Sequence, residues 1–395
     1  MFKDISSVTF AFVYVNILGY VFHSIVSRSL GPAGYGEFMV LYSFMLTVGN
    51  ITALLATVSI KVIVENFTQR FEYLRSLRIL GLTAGLFSAI SVSLFAPYLK
   101  TFLNVGYIYY FYIIAFVWLG MFMLAVERSF LQSTGKFPLF AFSSALELTI
   151  RLIFAITIIY AGFKIGGVLF SSFVGIFTVL ITLLLINGAL IGRLARLNIK
   201  KIITIALYAS PSGFFVYADD IFIRRIFDEH TAGLFASVSI VGKVLVWFTL
   251  AMLGIYFPKF VHSKGTEGLK KFILQMVGII IIAQIIGQIF IFIVGKPLFL
   301  LLFGKKFELA VPFLPYYFFS VLPLLFSLVF ISLATAFEKY IYLIYIHLLC
   351  FYSGFILFKF GSIFDYLTYI FCLNGSFVLL YFWALSKLIW RKHAV

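Results

Sequence analysis

Apolar residues run along this chain in blocks of roughly 18 to 25, the length a helix needs to cross a hydrocarbon core of about 30 Å. Twelve such segments can be drawn. The first six are Val8–Val26, Gly36–Ile60, Ile79–Leu99, Tyr107–Val126, Phe137–Ala161 and Gly166–Asn187. The second six are Ile202–Ile223, Thr231–Phe257, Phe272–Val294, Ala310–Ala336, Tyr340–Phe358 and Tyr366–Leu385. Only Phe337-Glu338-Lys339 separates the tenth from the eleventh. The pattern predicts an all-α polytopic membrane protein.

The polar breaks carry a second signal. RSLGPAGYGEF (Arg28–Phe38) has a partner in RRIFDEHTAGLF (Arg224–Phe235): Arg28 falls on Arg225, Gly36 on Gly233 and Phe38 on Phe235. Each break follows one apolar segment and begins another, so the chain reads as a duplicated unit. The longest polar connection, GALIGRLARLNIKK, divides it into lobes 1–187 and 202–395 joined by a basic linker, 188–201. An even number of spans per lobe makes these parallel repeats, related by a pseudo-two-fold axis along the membrane normal. The linker is read as resting on anionic lipid headgroups.

Composition agrees with lipid as the main solvent. Of 395 residues, 63% are hydrophobic and 11% charged, against about 25% charged in soluble domains. The 51 Phe and 23 Tyr suit lipid-facing surfaces and interfacial belts. A net charge of +16 raises nucleic acid as a partner, but the basic residues are scattered between spans and form no stripe. The positive-inside rule accounts for them better.

With the N-terminus in the cytoplasm, inner segments hold Arg70, Arg75, Arg78, Arg128, Lys136, Arg193, Arg196, Lys200 and Lys201, then Lys259, Lys264, Lys270, Lys271, Lys339, Lys387, Arg391 and Lys392. Outer ones hold Arg28, Lys100, Lys164, Arg224, Arg225, Lys296, Lys305, Lys306 and Lys359. This bias puts both termini inside. The first segment lacks a small-residue cleavage site and matches an internal span of the repeat, so it is read as span one and not as a signal peptide.

Ionisable residues inside spans are expensive and face a cavity or a partner. Glu147 and Arg151 lie near the middle of span five, with i, i+4 spacing that places them on one helix face. They are read either as a neutralised pair or as cavity groups. Lys243 lies near the centre of span eight with no acid at helical spacing in its own span, which favours a cavity-facing position. Asp219 and Asp220 sit toward the outer end of span seven, after Pro211-Ser212-Gly213, and are read as ion-coupling groups or, for Asp220, as a partner of Arg224 four residues on. Lys61 ends span two and snorkels to headgroups. Arg28 and Arg225 form a basic outer mouth or anchor to lipid phosphates.

Enzyme signatures are missing. Cys350 and Cys372 fall within apolar runs, with no disulfide framework or metal spacing. His23 and His347 lie in spans without a helical-spacing partner, and no GxxxxGK[ST] loop exists. Asp219-Asp220 is similar to the acidic pairs of some membrane glycosyltransferases, but the large outer loops of those enzymes are absent. No cofactor is expected.

In order and spacing, five motifs resemble the polysaccharide flippases of the multidrug/oligosaccharidyl-lipid/polysaccharide exporter superfamily. They are SRSLGPAGYGEF after span one, RSFLQSTGKF (Arg128–Phe137) after span four, YADDIFIRRIFDEHTAGLFASVSIVGKV (Tyr217–Val244), YFPKF at the end of span eight and LLFGKKFELAVPFL (Leu301–Leu314). The likeness covers nearly the whole chain. It implies a V-shaped pair of six-helix lobes around a central cavity, moving polyprenyl-diphosphate-linked sugar repeat units from the cytoplasmic to the outer leaflet of the cell membrane. It also implies H+ or Na+ as coupling ion and other glycan-assembly proteins as partners. Span one lacks the aspartate that several drug exporters of the superfamily use, Asn16 being its only strongly polar midspan residue.

On this reading Arg151 and Lys243, one per lobe, with Arg28 and Arg225, bind the diphosphate. Glu147, Asp219 and Asp220 couple the ion. The alternatives are a cation-coupled exporter of drugs or small amphiphiles, a membrane glycosyltransferase or polymerase, and a scaffold in a glycan-assembly complex.

Overall fold

A computed structural model describes residues 2–188, 191–263 and 267–390. Lys264, Arg391 and Lys392, expected on the inner side, lie outside them, as do residues 189 and 190 of the linker. Helices carry nearly all of the described chain and no strand occurs among these residues. In hydrocarbon a backbone must satisfy its own N–H and C=O groups, and helices do so within one segment.

The chain divides into two compact units, Met1–Ala206 and Leu207–Val395. Unit 1 holds α1 (Phe2–Thr47), α2 (Gly49–Glu65), α3 (Arg70–Phe102), α4 (Tyr109–Ser133), α5 (Phe137–Tyr160) and α6 (Ile165–Asn187). α7 (Ile199–Ala209) crosses the division. Unit 2 continues with α8 (Pro211–Ile226), α9 (Glu229–His262), α10 (Glu267–Phe303), α11 (Phe313–Ser320), α12 (Leu322–Phe337), α13 (Ile341–Leu357) and α14 (Ile363–Trp390). Among the described residues nine helical stretches are long and apolar enough to cross a membrane. The first, Val13–Glu65, is long enough to cross twice at 1.5 Å per residue. With α13 and the α7–α8 pair, about twelve crossings result. This is an all-α, multi-pass membrane protein.

Several segments are longer or more broken than their hydropathy predicts. α1 continues through the first polar break and turns at Gly31 (φ 68°, ψ 178°), a conformation open to glycine, with Pro32 next. The expected second span is the end of α1 plus α2. The seventh is split at Ser210, where Pro211 has no N–H to offer the Leu207 carbonyl; the Tyr345 hydroxyl donates to that carbonyl instead, at 2.9 Å. The tenth is split into α11 and α12 at Val321. Gln284 of α10 donates to Phe318 O (2.7 Å) and Gln288 to Pro315 O (3.1 Å), supplying polar partners beside that break. The tight turn between α12 and α13 uses left-handed Glu338 and Tyr340.

The linker is strapped to unit 1. Arg75 on α3 donates to Arg193 O (2.8 Å) and Ile191 O (3.2 Å), and Ser76 donates to Ala195 O (2.8 Å). Arg78 reaches Gly188 O at 2.7 Å. Arg78 and Arg128, which the sequence pattern places in the inner loops, are therefore not loop charges. Each lies in a helix and pairs internally: Arg78 with Glu127 (2.6 Å) and Arg128 with Glu147 (2.8 Å).

Candidate functional site

Each unit buries a cation beside its first helix pair, and the two are compensated differently. In unit 1, α5 carries Arg151. Its backbone packs against Gly175 of α6, where a side chain would collide with Glu147 O. The guanidinium points at α1, with its carbon 4.3 Å from the Phe22 ring centre and 4.8 Å from that of Tyr42. Arg151 is 8% exposed, and its Nε and Nη2 have no hydrogen-bond partner. Ring faces contribute about 2 kcal/mol or more to a desolvated cation but accept no conventional hydrogen bond.

Of the two readings of Glu147 and Arg151, the neutralised pair does not form. Glu147 turns to Arg128 on α4, which also donates to Ser143 Oγ (3.1 Å) and Ser143 O (3.0 Å). Shared helix face sets only proximity along α5. A rigid neighbour bearing its own cation captured the carboxylate.

In unit 2, Lys243 on α9 is 1% exposed. It is not a bare cavity cation: Nζ donates to Asp219 Oδ1 at 2.9 Å and to Asp220 Oδ2. Its partners lie on α8, the neighbouring helix, so spacing within span eight could not reveal them. Tyr317 of α11 donates to Asp219 Oδ2 (2.6 Å), Ser239 lies 3.4 Å from the same oxygen, and Tyr366 of α14 donates to the Asp219 backbone carbonyl (2.6 Å). Gly242 leaves the room in which the Tyr317 ring sits, since a methyl group there would overlap it. Buried carboxylates cost several kcal/mol each unless paired and hydrogen-bonded. With both carboxylates ionised, the Lys243–Asp219–Asp220 triad carries a formal charge of −1.

Arg28 and Arg225 are both exposed, Arg28 in the turn before Gly31 and Arg225 at the end of α8. Arg224 pairs with Glu229 at 2.7 Å. The separation that matches Arg28 with Arg225 also matches Phe22 with Asp219, His23 with Asp220 and Tyr42 with Ser239. The ring wall under Arg151 and the acidic wall around Lys243 thus occupy equivalent repeat positions.

Sequence reasoning missed a third buried group. Glu127 is completely buried, grips Arg78 through both oxygens (2.6 and 2.9 Å) and accepts from Asn187 Nδ2 (2.8 Å). An acid immediately beyond an apolar block was its only signal. His347, also buried, bonds Tyr381 (2.7 Å) and stacks on Phe377, a packed arrangement within unit 2. Among the described residues no group of three or more His, Cys, Asp or Glu is placed to hold a metal ion.

No protein-family model matches the sequence, and no curated protein does. Solved structures share the fold at low identity. An inward-facing multidrug resistance MATE family transporter of the MOP superfamily is 13% identical, with a TM-score of 0.74 over 95% of this chain and 96% of its own. An outward-facing MATE transporter is 15% identical (TM-score 0.67; 100% and 97% covered). A MOP superfamily transporter from Pyrococcus furiosus, described as having a binding pocket of reverse polarity that suggests a different function, is 14% identical (TM-score 0.69; 98% and 95% covered). The fold is that of MATE transporters of the MOP superfamily.

Proposed function

We propose that this protein is a transporter that moves an anionic lipid-linked glycan, of the polyprenyl-diphosphate class, across the cell membrane by alternating access. The observation that carries this reading is Arg151: a buried midspan guanidinium walled by rings, with two nitrogens lacking hydrogen-bond partners. A diphosphate and sugar hydroxyls lose their water in hydrocarbon, which blocks unaided flipping. A fixed cation reduces that cost for the headgroup while the prenyl tail stays in lipid. The fold, known in inward- and outward-facing forms, supports alternating access.

In this reading Arg151 receives the diphosphate and Arg28 and Arg225 gather anionic headgroups at the outer side. Asp219, Asp220 and Lys243 form the ion-coupling cluster, so Lys243 is reassigned from headgroup binding. Glu147 holds Arg128 and acts structurally. Both termini face the cytoplasm.

The test is flipping of a polyprenyl-diphosphate-linked sugar in proteoliposomes, read by its accessibility to an added glycosidase. Wild-type protein should accelerate exposure and Arg151→Gln should slow it at least tenfold, while Arg151→Lys retains part of the rate. Equal flipping by wild type and Arg151→Gln would refute the role of Arg151. The MATE-type fold favours a second reading, cation-coupled export of small amphiphiles; dye efflux by the same vesicles without glycan flipping would support it instead.

A further inference from the structure

We propose that Lys243 sets the ionic selectivity of the unit 2 cluster: its ammonium is a tethered monovalent cation seated where a free alkali-metal ion would otherwise bind, so that the cluster takes protons and excludes Na+. The inference rests on the reading of Asp219 and Asp220 as the coupling pair. Nζ contacts one oxygen of each carboxylate, and the Ser239 and Tyr317 hydroxyls surround Asp219 on its other side. Without the ammonium, these groups would be an anionic cage of oxygen ligands of the kind hard cations choose. With it, that space is filled by a group the main chain cannot release.

The space each ion needs then discriminates between coupling ions of equal charge. Two carboxylates against one ammonium lack one positive charge. A proton supplies it by adding to a carboxylate oxygen, which needs no new space and leaves Lys243 in place. A metal ion would have to enter beside the ammonium in a buried site, where like charges repel strongly. Lys243 therefore acts as the selectivity residue, while Asp219 and Asp220 exchange the proton.

The purified full-length chain in detergent is titrated with NaCl against choline chloride at constant ionic strength, following 22Na+ retention and the unfolding temperature. Wild type is expected to retain no Na+ and to unfold at an unchanged temperature. Lys243→Ala and Lys243→Ser should gain Na+ retention, with a rise in unfolding temperature of about 2–4 °C at ten times the dissociation constant. Adding Asp219→Asn to either should abolish the gain. Site-specific Na+ binding by wild type would overturn the proposal. So would Lys243 variants that fold yet ignore Na+, or that stay unfolded when prepared in it. No transported substrate enters the assay, so failure here and failure of the glycan-flipping reading are separately visible.

Discussion

A guanidinium in an apolar interior needs compensation, and Arg78 and Arg151 find it in different ways. Arg78 has a bidentate carboxylate, Glu127, and the Gly188 carbonyl. Arg151 has two ring faces. Removing one partner of a buried pair strands the other, at about 3–5 kcal/mol, whereas apolar replacement of both is often near neutral. Glu127→Ala should therefore lower the denaturation midpoint of purified protein sharply, and Arg78→Met/Glu127→Leu should recover most of the loss. Phe22→Leu keeps an apolar side chain but removes one ring under Arg151, at about 0.5–2 kcal/mol. Thermal unfolding will read it, and a matching loss with Arg151→Met already present would show that the rings act on something other than the cation.

Helix ends and helix contacts position these groups. α9 begins at Asp228, whose side chain accepts from the His230 and Thr231 amides at 2.9 and 3.1 Å. Asp228→Ala should cost about 1 kcal/mol. The Thr231 hydroxyl, ahead of the backbone amides, holds the Asp228 carboxyl below its ordinary value. A depressed folded value means that the stabilisation is complete above the unfolded value, near pH 4, and fades as the pH falls through the folded one. Unfolding temperatures of wild type and Asp228→Asn should converge on acidification below about pH 4. Further along α9, Gly242 lets Tyr317 approach. Gly242→Ala should push the ring away from Asp219 and, on the proposed coupling role of that carboxylate, impair transport to the same extent as Tyr317→Phe, with Gly254→Ala, which meets open space, as the control.

At the scale of the whole molecule, the sequence match between the halves pairs positions that differ in charge. At the matched positions Phe22 and His23 of one unit correspond to Asp219 and Asp220 of the other, so a ring wall stands in one where carboxylates stand in the other. Orientation also belongs here. The proposed cytoplasmic termini require that single cysteines at Lys100 and Lys271, in a background lacking Cys350 and Cys372, label from opposite sides. Lys100 should react with an impermeant maleimide outside and Lys271 only after permeabilisation; the reverse pattern would invert the topology.

Hydropathy is a local property, and it was enough to announce an all-α membrane protein and its approximate crossings. Composition likewise singled out Arg151, Lys243, Asp219 and Asp220, because a charge inside an apolar block is conspicuous wherever the block packs. Which charges meet is another matter. Glu147, read either as the partner of Arg151 or as a cavity group, lies on Arg128; Lys243 had no acid at helical spacing in its own span and is held by two on the next helix. Glu127, at the edge of its block, gave little sign of being buried. Spacing along one helix specifies a face, but pairing depends on the rotation and depth of the neighbour, and those are decided by packing among all helices of a unit at once.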